Sequence, residues 1–329
     1  MKYIKDVSYK MYSISDSKVI LKTFKGRFLI KGESISKYLG DIIEYFKEPR
    51  ELDEAINHFE NKYSKDSLTN LLEYLIEKSV LVNNNNIICE RHTMERINYL
   101  KLYDLDYKNI AFKFATKKIG IIGNNNITYL ILKEIIELDF INEINYFNCE
   151  KDRIMNENLA TLLKNKKVVI NNELDSLICN SDFIIVASDY NNSYLYSEVN
   201  KVCIDNSKEW IRILVDGSYS EVGPIFIPNV TCCYECLNYR AEYNIQKNES
   251  AFSELYKDKY RANSLNNDLF ECYYIENMIA SFTVFETLKY LLDLKSLIVG
   301  SVLRVDFYDY EIKIEKVFKN SNCLTCNKE

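Results

Sequence analysis

Ten cysteines stand in this chain of 329 residues. Four of them fall into two Cys-x-x-Cys pairs, Cys233/Cys236 and Cys323/Cys326. Such a pair turns two sulfurs toward one point, and a closed shell of four thiolates is what a structural zinc ion prefers. The pairs lie far apart in sequence, beyond ordinary zinc-finger spacing, so the ion would staple distant segments. The rival reading is chance clustering in a cysteine-rich chain, and two pairs weaken it more than one would. A redox dithiol is disfavoured, because neither pair is expected between a strand and a helix. Cys232 adjoins the first pair but must point elsewhere, so it is read as a non-ligand. The remaining cysteines read as reduced, small apolar residues.

A second chemistry is suggested by Gly123-Asn124-Asn125-Asn126-Ile127-Thr128, which follows a buried strand. A nucleotide loop there wants G-x-G-x-x-G, so that backbone amides approach phosphate. One glycine of the three is present. Asparagine tolerates the turn, yet side chains at 125 and 128 would crowd a phosphate. The next strand ends at Asn148, where an acidic residue would hold a ribose. Asp189, after a later strand, is placed either to bind a metal-nucleotide or to cap a helix. Gly123 and Asp189 are thus the remnants of a nucleotide fold whose nucleotide site has decayed, and no convincing catalytic arginine is found.

Composition narrows the choices. Only two histidines exist, His58 and His92, too few for a His-dependent hydrolase or a multi-His metal site. The net charge of −6 argues against non-specific nucleic-acid binding. No uninterrupted apolar stretch is long enough to span a membrane, and the charged N-terminus MKYIKDVSYK is no signal peptide. The chain therefore reads as cytoplasmic.

The elements that must position these residues fall into two grammars. Residues 1–90 predict a hairpin (9–14 and 18–23), a third strand (27–31), three helices (35–46, 52–59 and 68–76), and a second hairpin over Val80–Val82 and Ile87–Cys89. That pattern is a winged helix-turn-helix. Residues 91–114 read as a linker. From 115 to 329 strands alternate with helices: strands at 118–123, 144–147, 168–170, 183–187 and 211–215 predict a doubly wound α/β sheet. Gly223–Pro228 reads as a rigid extended segment, 247–270 as an irregular stretch, and 278–292 as an apolar helix before two final strands.

A winged helix raises DNA binding, but residues 1–90 balance 14 Lys+Arg against 14 Asp+Glu. The would-be recognition helix sets Lys65 and Lys78 against Asp66, Glu73 and Glu77, whereas a groove-reading helix should be basic. Peptide capture is the alternative. A guest strand could add to the edge at Arg27, Phe28, Leu29 and Ile30, with Tyr74 and Lys78 of the third helix beside it.

Gly223-Pro224, Ile225-Phe226-Ile227-Pro228 ahead of Cys233-Tyr234-Glu235-Cys236, Val186-Ala187-Ser188-Asp189, and the distal Cys323-Leu324-Thr325-Cys326 resemble the ThiF/MoeB-like superfamily, relatives of ubiquitin-activating enzymes. The N-terminal part is similar to the precursor-peptide recognition element of modified-peptide biosynthesis. The resemblance implies a Rossmann-like ThiF/MoeB-type domain with a C-terminal tetrathiolate zinc site, preceded by a peptide-binding winged helix. Within the family, Asn124, Asn126 and Asn148 depart from the adenylating pattern, and the resemblance then implies the leader-binding partner subunit that does not itself use ATP. The implied role is a leader-peptide-binding subunit of an azoline-forming cyclodehydratase. In that role ATP and magnesium belong to a YcaO-type partner, an FMN-dependent azoline oxidase acts afterwards, and the core is a homodimer. Two alternatives stay open: a self-sufficient adenylyltransferase of the microcin C type, and a winged-helix regulator of DNA.

Overall fold

The computed structural model describes residues 2–6, 9–23, 25–83, 93, 96–103, 105, 107–150, 153–240 and 272–327. The chain divides into two compact units, Met1–Phe112 and Lys113–Glu329.

The first unit opens with β1 (Lys2–Lys5), followed by the hairpin of β2 (Lys10–Ser15) and β3 (Lys18–Thr23) and then β4 (Gly26–Lys31). Strands β2, β3 and β4 form an antiparallel sheet in that order, which leaves β4 on an edge. Alternation decides its faces: Val19 and Leu21 are fully buried, while Lys18 and Lys22 beside them are exposed and Ile20 between them is half-buried. Helices α1 (Ile35–Tyr45), α2 (Leu52–Phe59) and α3 (Lys65–Glu77) supply the other side of the core. Leu39, Ile42, Phe46, Leu68, Leu72 and Leu75 pack there with Val19 and Leu21. Ser64 caps α3, accepting from the Ser67 amide at 3.4 Å.

This unit holds more strand than the sequence pattern predicts. Two-residue β5 (Arg50–Glu51) and β6 (Leu81–Asn83) flank β1 in a second antiparallel sheet. β6 therefore pairs with β1 (Ile4 opposite Val82). The expected partner across the asparagine turn, Ile87–Cys89, lies outside the described residues. The charged N-terminal segment conceals β1 because only Tyr3 and Ile4 mark it as a strand.

Helix α4 (Tyr107–Phe114) spans the boundary between the units, and the second unit continues with β7 (Lys118–Ile122), α5 (Asn126–Ile136) and β8 (Glu143–Phe147). α6 (Glu157–Leu162), β9 (Val168–Asn171), α7 (Leu174–Asn180), β10 (Phe183–Ser188), α8 (Ser193–Asp205) and β11 (Glu209–Asp216) continue the alternation. β12 (Tyr219–Phe226), α9 (Tyr273–Leu291), β13 (Ser301–Asp306) and β14 (Glu311–Lys316) complete it. The eight strands are ordered β14-β13-β12-β11-β10-β7-β8-β9. Strands β7 to β11 are parallel and β12 to β14 antiparallel, so the sheet is mixed. Strand order reverses between β7 and β10, the switch point where such sheets open a crevice.

Four residues of the extended segment Gly223–Pro228, Gly223 to Phe226, are the end of strand β12. Pro224 is tolerated inside the sheet because the β11–β12 register shifts between Ile211 and Ile213, so no regular ladder bond is required there. Among the described residues no helix is long and apolar enough to cross a membrane.

The antiparallel half is bound by a buried ion cluster. Glu221 accepts from Arg212, from Tyr219 and from Arg304 Nε at 2.9 Å. Burial disfavours its charge, but these donors prevail and hold the carboxyl below its ordinary value of 4.5. Removing one partner of such a pair leaves a buried uncompensated charge, so Glu221→Gln should cost about 3–5 kcal/mol in urea unfolding. The stabilisation in the unsubstituted chain should be full at neutral pH. It should fade as pH falls below the ordinary glutamate range, measurable as a falling melting temperature that the variant does not share.

Candidate functional site

The four cysteines converge. Cys233 and Cys236 sit where residues 234–240 turn helical after β12, and Cys323 and Cys326 sit in turns beyond β14. The expectation that neither pair lies between a strand and a helix thus fails for the first pair. Their Sγ atoms all lie within 4.8 Å of one another. The separations are 3.8 Å for Cys233–Cys236 and 3.6 Å for both Cys233–Cys323 and Cys236–Cys326. A tetrahedron built on Zn–S bonds of about 2.3 Å has edges of about 3.8 Å, so the residues fit that ion. The Asn320 amide donates to Cys236 Sγ at 3.3 Å, a contact that steadies a thiolate. At Cys323 burial pushes the thiol up, but backbone hydrogen bonds from Cys326 and Thr325 outweigh it and bring it to about 7. Cys232 is buried in the adjoining core with Trp210, Phe226 and Tyr234 and is not one of the four. Zinc held there would act as a cross-link, with no open position for chemistry.

The loop after β7 is packed by its own side chains. A Cβ on Gly123 would lie 2.1 Å from Thr128 Oγ1 and 2.7 Å from the Ala187 carbonyl, so only glycine fits. Asn125 caps α5: its Oδ1 accepts from the Thr128 amide at 2.9 Å and from Thr128 Oγ1 at 2.7 Å. Its Nδ2 donates to the Ala187 carbonyl at 3.1 Å. Residues 125 and 128 therefore turn inward, where the sequence reading had them projecting at a phosphate. Asn126 donates from Nδ2 to Glu276 Oε2 of α9 at 2.5 Å, which sets a carboxylate at the start of the helix. An anion seeking these amides meets an occupied cap and a like charge, so the loop does not fit a nucleotide phosphate. Asn148 accepts from the Glu150 amide at 2.9 Å and is spent on a local turn.

Asp189 does not cap α8. That position belongs to Asn192, which accepts from the Leu195 amide at 3.1 Å. Asp189 Oδ2 instead accepts from Arg153 Nη2 at 2.6 Å, and Arg153 also reaches Glu150 at 3.3 Å. Glu150 in turn accepts from the Tyr190 hydroxyl at 2.7 Å. Burial and the Asp189 charge raise the Asp216 carboxyl above its usual range. Arg153 and Glu276 were both missed in the sequence. Arg153 sits in an irregular stretch with no period to mark it, and Glu276 precedes the point where the apolar helix pattern becomes visible. The buried Oδ1 atoms of Asn124, Asp189 and Asn191 find no hydrogen-bond partner among the described residues.

At the edge of the first unit, Phe28 meets Tyr74 edge-on, with ring centroids 6.5 Å apart. The Lys78 ammonium lies 5.0 Å from the Phe28 ring centre and 5.3 Å from that of Tyr74. Phe28 and Ile30 are half-buried, and Ile30 packs against the core, whereas Arg27 and Leu29 are exposed on the other face of β4. The six residues named from the sequence are thus split. Phe28, Tyr74 and Lys78 form one cluster, Ile30 leans inward, and Arg27 and Leu29 face solvent.

Elemental analysis of the purified chain should find about one zinc per molecule. Cys323→Ser should lower both metal content and melting temperature, while Cys232→Ser should leave the metal in place. A chelator should depress the melting temperature of the unsubstituted chain but hardly that of Cys323→Ser.

Comparison with known proteins follows the same geometry. The fold matches that of E. coli MccB crystallised with ATP at a TM-score of 0.67 and 16% identity, covering 99% of this chain and 100% of that one. MccB with MccA-N7isoASN gives 0.66 at 16% identity, covering 100% of both chains. A heterocyclase in complex with substrate and cofactor gives 0.65 at 13% identity, covering 99% of this chain but 39% of that one. At these identities the likeness is one of fold. No curated protein sequence matches. A model of the ThiF family matches residues 150–325, just over half of the chain. The span takes in Asp189 and three of the four clustered cysteines, Cys233, Cys236 and Cys323, and the chain belongs to the ThiF family.

Proposed function

We propose that this protein is a leader-peptide-binding scaffold subunit of a heterocycle-forming complex. It holds the leader of a ribosomal precursor peptide and presents the Cys, Ser or Thr residues of the core to a YcaO-type partner. That partner uses ATP and magnesium for cyclodehydration, closing each side chain onto the preceding carbonyl to give thiazoline or oxazoline. An FMN-dependent azoline oxidase acts on the product. The scaffold contributes proximity: a tethered core peptide meets the partner's site at a raised effective concentration. In this reading residues 1–90 are a winged-helix recognition domain, 91–114 a linker and 115–329 the ThiF-like domain, which pairs as a homodimer in the cytoplasm.

One observation carries the reading. Of the amides that would receive a phosphate at the start of α5, that of Thr128 is capped by Asn125, and the Glu276 carboxylate is held beside them by Asn126. The similar folds support a peptide context: the MccB structures include complexes with MccA peptides, and a heterocyclase shares the fold over 39% of its length.

The unpartnered oxygens of Asn124, Asp189 and Asn191 favour a second reading, a self-sufficient adenylyltransferase of a peptide C-terminus. Incubating the purified chain with ATP and its precursor separates the two. The scaffold reading expects neither AMP nor pyrophosphate from this protein alone, and loss of one water per ring once the YcaO-type partner is added. Release of AMP or pyrophosphate without the partner would overturn it.

A further inference from the structure

The outward face of the β2–β3–β4 sheet is read in rows, because antiparallel register sets side chains directly opposite one another. Lys10, Lys22 and Arg27 form one row. Tyr12, Ile20 and Leu29 form the next, and Lys18 and Lys31 the third. All five cations are exposed, and none has an ion-pair partner among the described residues. The three strands contain no Asp or Glu. Like charges directly opposite one another destabilise a sheet, and here two such rows bracket an apolar one. Residues 1–90 are neutral as a whole, so this face concentrates charge that the domain balances elsewhere.

We propose that this face, continued from the β4 edge, selects the captured peptide by an alternating motif: acidic, apolar, aliphatic, apolar, acidic. The proposal rests on the reading of β4 as a docking edge and adds the chemistry of what docks. A guest strand beside β4 extends each row by one position. Its outward side chains then meet Arg27, Leu29 and Lys31 in turn. Carboxylates beside Arg27 and Lys31 relieve the repulsion in their rows, and an aliphatic residue beside Leu29, itself 53% exposed, lengthens the apolar row. The two intervening side chains point to the other face, toward Phe28, Ile30 and the Tyr74 ring, and are apolar for that reason. The motif reads the same in both directions, so it holds whether the guest runs parallel or antiparallel to β4. An apolar centre with a charged rim is the anatomy of a peptide or protein interface, which favours this occupant over a nucleic acid.

The test uses the full chain and two synthetic peptides, one bearing Glu-Val-Leu-Val-Glu and one Lys-Val-Leu-Val-Lys between neutral flanks. Affinity is measured by fluorescence anisotropy and docking by hydrogen exchange of the β4 amides. The acidic peptide should bind at least about tenfold more tightly at low salt, with the gap closing as salt rises. It should slow exchange along β4, and Arg27→Glu with Lys31→Glu should invert the preference. Equal affinity for both peptides with β4 protected in each case overturns the charge rule and leaves the docking edge standing. Absence of β4 protection with either peptide overturns the edge itself, and the charge rule with it. Tighter binding of an oligothymidylate, abolished by the same double substitution, overturns the choice of a peptide.

Discussion

The first turn of a helix presents backbone amides with no partner of their own, and something must satisfy them. In nucleotide-binding α/β folds that something is phosphate. At the start of α5 it is Asn125, which folds back on Thr128 while its amide nitrogen ties the loop to the end of β10. A side-chain cap is worth about 1 kcal/mol. A phosphate would have to displace it and also stand near the Glu276 carboxylate that binds Asn126. The loop is thereby a joint between β7, β10, α5 and α9. Gly123 makes the joint possible, since no larger residue fits between Thr128 and the Ala187 carbonyl.

The rest of the second unit extends from that joint. Parallel strands on one side meet at the switch point between β7 and β10, and Asp189 at the end of β10 pairs with Arg153. Antiparallel strands on the other side carry the Glu221 cluster and lead to the cysteines. The four sulfurs abut the core of Trp210, Phe226 and Tyr234, so closing the shell also fixes one wall of the sheet's packing. The first unit keeps a core of its own, with β4 on the edge of its three-stranded sheet.

What could be read from the sequence was whatever has a period or a fixed spacing. The stripes of α1, α2 and α3, the β2–β3 hairpin and the parallel strands announce themselves by repetition. The two Cys-x-x-Cys pairs do so by spacing, although the helical turn at 234–240 behind the first pair did not. β1 and β5 were hidden because strands of four and two residues hold too few side chains to display alternation. Strand β12 was hidden because Pro224 reads as a breaker unless the register shift opposite it is known. The ties of Asn126 to Glu276 and Arg153 to Asp189 join residues remote in the chain, and a single sequence carries no signal for such pairs. The charged rows likewise needed the strand register, since Lys10, Lys22 and Arg27 become neighbours only when paired.

The sulfur cluster also has a history in time. Cys233 and Cys236 lie 90 residues upstream of Cys323 and Cys326, their counterparts in the shell. At about 5–20 residues per second, a ribosome releases the first pair roughly 5–20 s before the second. Through that interval the nascent chain carries two thiols with half a coordination sphere, open to oxidants and to competing soft metals. A metal that closed the shell could do so only after the second pair emerged, which would leave the antiparallel half of the sheet late to mature.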